Sequence, residues 1–251
     1  PKESPVPGGV IRLPLGIKSE SEPKVKFDSK DVISIRDDNG EWIAIVGIPL
    51  SFKDKQGKIT LESPEKKEIS FNVKKSHYKT EKLTIKNKRL VTPSEKALKN
   101  IQADRVLVQQ ARERFTNRSP HLNLLQPTKG RMSRSFGLRR IMNGVEKSPH
   151  NGMDIAAPTG TVVNASEEGE VVLATSLFYS GNTVIIDHGH GLLTIYCHLD
   201  SINTKNGDIV KRGQNIGTVG MTGRVTGPHL HWSVEINGAK VDPSLFLNLE
   251  R

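Results

Sequence analysis

"GPHLHWSVEI", residues 227–236, is the stretch that decides how the C-terminal half of this chain folds. After Pro228 it alternates with the two-residue period of a β-strand, so His229 and His231 share one face and Trp232 points to the other. Trp232 is therefore expected to pack, while the two imidazoles stand together. A single histidine on a strand is most often a satisfied core or surface residue. A same-face pair asks for partners, because neutral imidazole is a common metal ligand and proton carrier.

Partners are available nearby in sequence. Of the chain's 22 glycines, 16 fall between 121 and 251, a density that marks tight turns between short strands. The runs "GTVVNAS", "GEVVLATS", "NTVIIDHG", "LLTIYCHL", "QNIGTVG" and "HLHWSVEI" all read as extended, and no long helix is evident. A compact antiparallel β domain over 121–251 is expected. From residue 130 onward it holds six of the eight histidines. In "SPHNGMDIAAPTG", His150 and Asp154 flank Gly152, which lets two donors from one loop converge. A His and an Asp from this loop, with one His of "HLH", make three protein ligands for zinc and leave a fourth position for water. His198 ends the strand "IYCHL", where a side chain projects into a cleft. His188 and His190, in the "HGHG" turn, are read as surface residues. Cys197 rules out an internal disulfide and reads as a small buried residue within an apolar run.

Residues 1–91 read as a separate β module. "EWIAIVGIPL" is an apolar strand ending at Pro49, "FKDKQGKITL" is expected to turn at Gln56-Gly57, and "KEISFNV" and "KLTIK" alternate with Ile69, Phe71, Val73 and Leu83, Ile85 on their apolar faces. His77 is read as a surface residue. Between the two β regions, residues 92–120 form a helical linker. Thr92, Pro93 and Glu95 make a capping-box pattern, and Leu98, Ile101, Val108, Ala111 and Phe115 recur near a helical period.

At 251 residues, with 35% hydrophobic and 25% charged residues, the chain can bury a core, and no run reaches the roughly 20 apolar residues of a membrane span. It begins at Pro1 without methionine, which is read as a secreted chain whose signal peptide has been removed. The net charge of +10 is spread as +6 over 1–92 and +4 over 93–251, and aromatics are only 5%, so no base-stacking platform is evident and nucleic acid is not expected as a partner. The charge suits anionic surroundings.

The segments "SFGLRR", "HNGMDIAAPTGTVV", "GNTVIIDHGHGLLTIYCHLD", "VKRGQNIGTVGMTG" and "TGPHLHWSV" together resemble the catalytic domain of lysostaphin/LytM-type zinc peptidases, from about Arg131 to Leu247. The N-terminal module, with "PVPGGVIRLPLG" and "WIAIVGIPL", resembles the accessory β domain of some Gram-negative envelope members. The resemblance implies that His150, Asp154 and His231 bind one Zn2+, that His198 and His229 are the catalytic pair, and that Arg139 supports or lines the substrate groove. It implies a peptidoglycan endopeptidase of the periplasm or cell envelope. The substrate would be the peptide stems, with D-Ala–diaminopimelate cross-links favoured. The alternative within the same resemblance is a non-catalytic envelope regulator that activates a murein amidase. Two histidines beside a His/Asp/His zinc site suit amide hydrolysis, one taking a proton and the other stabilising an oxyanion. Which of His198 and His229 is the base stays open, as do the oligomeric state and any inhibition by the N-terminal module.

Overall fold

The computed structural model describes residues 1–85 and 91–248. Among them the chain is mainly β, with one α-helix, Glu95–Arg112, and a short 3-10 turn, Pro243–Phe246.

Two small sheets form the N-terminal part. Val10–Pro14, Trp42–Gly47 and Ile33–Arg36 make an antiparallel three-stranded sheet. Lys30–Asp31, Lys24–Phe27, Gln56–Ser63 and Lys67–Asn72 make a four-stranded one. Burial alternates along Gln56–Ser63, so Gly57, Ile59 and Leu61 face inward. The expected turn at Gln56-Gly57 is not there, because the strand starts at Gln56. Gly57 is required by close approach instead: a β-carbon on it would meet the Phe71 ring at 2.3 Å. Trp42–Gly47 is buried along its whole length, which explains its nearly unbroken apolar run. One face (Trp42, Ala44, Val46) joins the core of this part, and the other (Ile43, Ile45) joins the core of the C-terminal sheet. Asn237 ties the two together, accepting from Gly47 N–H at 2.7 Å and donating to Gly47 C=O at 3.0 Å.

"KLTIK" behaves differently from its expected grouping. Its strand, Thr80–Leu83, pairs parallel with Arg139–Met142, which pairs in turn with Val145–Lys147. The pattern correctly puts Ile85 inside, but against Val91 and Met142 rather than the N-terminal core. The helix cap lies two residues after the expected one. Ser94, not Thr92, is the N-cap, and its Oγ accepts from Ala97 N–H at 3.3 Å. Ile101 and Ala111 are buried as the periodicity requires, while Leu98 and Phe115 are exposed.

The C-terminal sheet contains ten strands, all paired antiparallel. Its path runs Ile209–Val210, Gly169–Leu177, Gly181–Gly189, Leu192–Ile202, Leu230–Ile236, Met153–Ala156, Arg131–Met132, with Val162–Asn164, Asn215–Val219 and Ala239–Val241 alongside. Every extended run expected from sequence lies on one of these strands. The face carrying Tyr196, Trp232 and Val234 packs on the main core, and the N-terminal strand Trp42–Gly47 contributes to it. The opposite face, with Ile185, Ile195 and Cys197, is covered by Val108 and Ala111 of the helix. The β module therefore lies behind the sheet, and the helix lies in front.

Candidate active site

Strand register brings the histidines together. Leu230–Ile236 is flanked by Met153–Ala156 and Leu192–Ile202, which sets His231 opposite Asp154 on one side and Cys197 on the other. His231 therefore projects from the same face as the helix-covered cleft, while Trp232 is fully buried behind it. His150 enters from the loop before Met153–Ala156. Its Nε2 lies 2.9 Å from His231 Nδ1 and 3.1 Å from Asp154 Oδ1, and His231 Nδ1 lies 3.0 Å from the same Oδ1.

This triangle fits a cation better than a hydrogen-bond network. His150 Nδ1 donates to the Ser135 carbonyl at 2.9 Å, so in the neutral ring Nε2 carries a lone pair. That lone pair and the Asp154 carboxylate both point at His231 Nδ1, which can offer one proton at most. Three donor atoms about 3 Å apart suit a shared ion held at about 2.0–2.2 Å. Arg140 Nη2 meets the other carboxylate oxygen, Asp154 Oδ2, at 3.3 Å, and the Asp154 N–H is held by Ser133 Oγ at 3.1 Å. Outer contacts of this kind orient ligand side chains in metal sites.

The local charge pattern agrees. Burial by itself would raise the Asp154 carboxyl, but the two imidazoles set against it, His150 and His231, outweigh this and hold the group well below the usual carboxylate range. His231 is lowered to about 3, chiefly by burial, with the Asp154 hydrogen bond acting against the shift. Both groups are thus in the deprotonated forms that bind a metal.

His198 and His229 stand beside this cluster, with ring centroids 5.1 Å apart. Each fixes its tautomer on a backbone carbonyl: His198 Nδ1 donates to Thr222 O and His229 Nδ1 to Gly227 O, both at 2.8 Å. Each neutral ring therefore keeps a lone pair on Nε2. His229 Nε2 is 3.7 Å from Asp154 Oδ1. Burial, and next the neighbouring His229, lower His198 to about 4. His198 also adopts φ +64°, left-handed for a non-glycine residue, where the pairing with Gly181–Gly189 slips by one. A bulge of this kind re-aims a side chain at a functional site.

Gly152 serves the cluster by close approach. A β-carbon there would stand 2.5 Å from Ser233 Oγ and 2.7 Å from His231 Nε2. Arg139 is exposed and does not line the cleft. Alternation along Arg139–Met142 turns its neighbour Arg140 inward instead, together with Met142. His188 and His190, expected at the surface, are buried. His188 Nδ1 donates to Glu168 O at 2.8 Å, with Thr194 Oγ1 2.7 Å from its Nε2. His190 stacks on Phe115 at 5.7 Å, and its N–H donates to Thr116 O. The chain after the helix lies over that turn, a long-range cover with no local signal. Cys197 is buried and His77 exposed, as expected.

Residues 148–243 match peptidase family M23, and residues 3–76 match the peptidase family M23 N-terminal domain. The crystal structure of a protein assigned to peptidase M23 from Pseudomonas aeruginosa is 36% identical and superposes with a TM-score of 0.82 over 97% of this chain and 95% of that one. The chain belongs to peptidase family M23. Over 116 residues this M23 chain is 46% identical to peptidoglycan DD-endopeptidase ShyA of Vibrio cholerae, covering 46% of the chain and 27% of that protein. It is also 46% identical over 94 residues to the DD-carboxypeptidase/endopeptidase Mpg of Neisseria gonorrhoeae, covering 38% and 22%. The M23 chain thus aligns with only about a quarter of the length of these curated relatives.

The M23 site also includes residues that sequence reading passed over. The helix forms one wall of a cleft of about 680 Å³ that opens onto His150, His198 and His231. The helix is pinned there by Asp104, which accepts from Phe178 N–H at 2.7 Å, and by Arg112, whose Nε meets both oxygens of buried Glu235 at 2.7 and 2.9 Å. Arg224 lines the same cleft, with its guanidinium over the Tyr179 ring at 4.4 Å. "GLRR" is the only sequence cue to Arg140. Nothing local marks Arg224 or the helix wall.

Proposed function

We propose that this chain is a zinc-dependent endopeptidase that hydrolyses peptide cross-links of peptidoglycan, with D-Ala–diaminopimelate links as the favoured substrate. The observation that carries this reading is the convergence of His150 Nε2, Asp154 Oδ1 and His231 Nδ1 within 3.1 Å of one another, beside two further imidazoles with fixed tautomers. His150, Asp154 and His231 would hold the zinc. When bound, it supplies Lewis-acid polarisation of the scissile carbonyl and an acidified water.

The chain's own residues do the rest. The Nε2 lone pairs of His198 and His229 accept a proton without a change of tautomer, and an imidazole so protonated donates to a developing oxyanion or to the departing amine. Arg140 and Ser133 hold Asp154 in place. The cleft between helix and sheet admits an extended, narrow peptide. The family and the named activities of ShyA and Mpg support the substrate class, and with it a place in the bacterial envelope. The alternative role as an amidase activator draws no support from a site that keeps all five polar side chains. Incubation with purified peptidoglycan tests the proposal. Cross-linked dimers should fall and monomers rise, and a chelator should stop the change. Unaltered peptidoglycan would contradict it.

A further inference from the structure

The cleft is strongly cationic. Its walls carry Arg105, Arg112, Arg140, Lys147, Arg224 and Lys240 against one lining carboxylate, Asp104. Some of these cations have structural work: Arg112 holds Glu235, Arg140 holds Asp154, and Lys147 Nζ donates to Val91 O at 2.9 Å. Arg224 is held as well. Its backbone N–H donates to Tyr179 O at 2.8 Å, and its guanidinium lies over the ring of that same residue.

The loop that carries Arg224 is also docked tightly on the 179–182 turn. A β-carbon on Gly181 would meet Thr222 Oγ1 at 2.2 Å, and one on Gly223 would meet Gly181 N at 2.5 Å. Thr222 Oγ1 accepts from Asn182 N–H, and Thr222 O holds His198. Arg224 is therefore fixed two residues from the group that orients His198. Repulsion from Arg140 is felt at Arg224, in addition to the larger effect of burial, so the two guanidiniums share one region of the cleft.

A guanidinium stacked through its planar face recognises carboxylates through its N–H edge, bidentately. Like-charged groups gathered in a half-buried cleft favour an anionic ligand. The nearest anion to the reacting bond in a D-Ala–diaminopimelate cross-link is the free carboxylate on the carbon that bears the scissile nitrogen. In an internal peptide or glycine bridge, that carbon bears a neutral carbonyl instead.

We propose that Arg224 is a specificity-determining residue that binds this free carboxylate, selecting cross-links that carry it over bonds within a continuous peptide. The assignment rests on the endopeptidase reading above. It also gives the chain a requirement that the metal cluster and imidazoles do not impose, since those act on any amide.

The test uses two cross-linked dimers that differ only in this carboxylate, free in one and a primary amide in the other. The native protein should cleave the free form with a kcat/KM higher by on the order of tenfold to a hundredfold, as expected for a hydrogen-bonded charge. Arg224→Gln should collapse that ratio toward one, mainly through KM. Arg224→Lys, which keeps the charge without the fork, should retain part of it. Calorimetry of the two corresponding amine-side product peptides reads the same preference without turnover. A native protein that binds the carboxylate form preferentially through Arg224 but cleaves neither dimer would leave the assignment standing and overturn the endopeptidase reading. An unchanged ratio in Arg224→Gln, or equal binding of both peptides by the native protein, would overturn the assignment.

Discussion

The α-carbon of Gly152 rests against the imidazole of His231, so closely that a β-carbon would stand 2.7 Å from Nε2. Backbone from the loop of His150 and Asp154 thus touches the side chain that completes their triangle. Gly152→Ala should push His231 out of register with His150 and Asp154. Overpacking costs about 1–3 kcal/mol. The variant should fold with a modestly lower Tm yet retain far less metal after dialysis, read by elemental analysis. Native metal content in the variant would show that the site tolerates the shift.

The two histidines of "HLH", His229 and His231, should separate cleanly. His231→Ala removes an atom of the triangle and should abolish stoichiometric metal. His229→Ala leaves all three atoms in place and should keep the metal while losing about 10²–10⁴ in kcat. Elemental analysis beside a turnover assay of both variants checks this. Comparable turnover in His229→Ala and the native protein would leave His198 sufficient as proton acceptor.

This much was legible because strand periodicity fixes faces: His229, His231 and Trp232 could be sorted from the two-residue repeat, whereas Gly152, read as a bend, is required by close approach. Strand boundaries were readable where the pattern was local, as in "KEISFNV" and "NTVIIDHG". The failures share one physical cause. Burial of His190 comes from Phe115 and Thr116, the Nδ1 partner of His188 from Glu168, the inward turn of Arg140 from pairing with Thr80–Leu83, and the helix wall from Glu235 and Phe178, all remote in sequence. Gln56-Gly57 looked like a turn because a glycine needed for the Phe71 ring looks the same as one needed for a bend.

Acid should weaken the fold partly through His188. Burial lowers this imidazole to about 4, against about 6.5 in an unfolded chain, and the Glu168 carbonyl only partly opposes the shift. Between those values the unfolded chain holds the extra proton. The stability contribution is therefore complete above pH 6.5 and is lost as pH falls toward 4, with a slope of about 1.4 kcal/mol per pH unit. Denaturant unfolding from pH 4 to 8 should show this slope, reduced by that amount in His188→Gln. Equal slopes in both proteins would mean that another group governs acid unfolding.

The helix wall depends on a buried carboxylate. Glu235 has 1% of its side chain exposed and is neutralised by Arg112. Arg112→Ala removes its hydrogen-bonded partner, leaving only the more distant charge of Lys240, and should cost about 3 kcal/mol. Arg112→Met with Glu235→Gln should recover most of the loss. Thermal unfolding of the three proteins reads this. A fully stable Arg112→Ala would show that the helix is held by its apolar contacts with Ile185 and Ile195 alone.

The most direct measurement takes the protein loaded with one zinc per chain, a single defined D-Ala–diaminopimelate cross-linked dimer, and mass analysis of the products. The expected result is conversion to two monomers by addition of one water, arrested by chelator and restored by zinc. A fully metallated protein that leaves the dimer intact would contradict it.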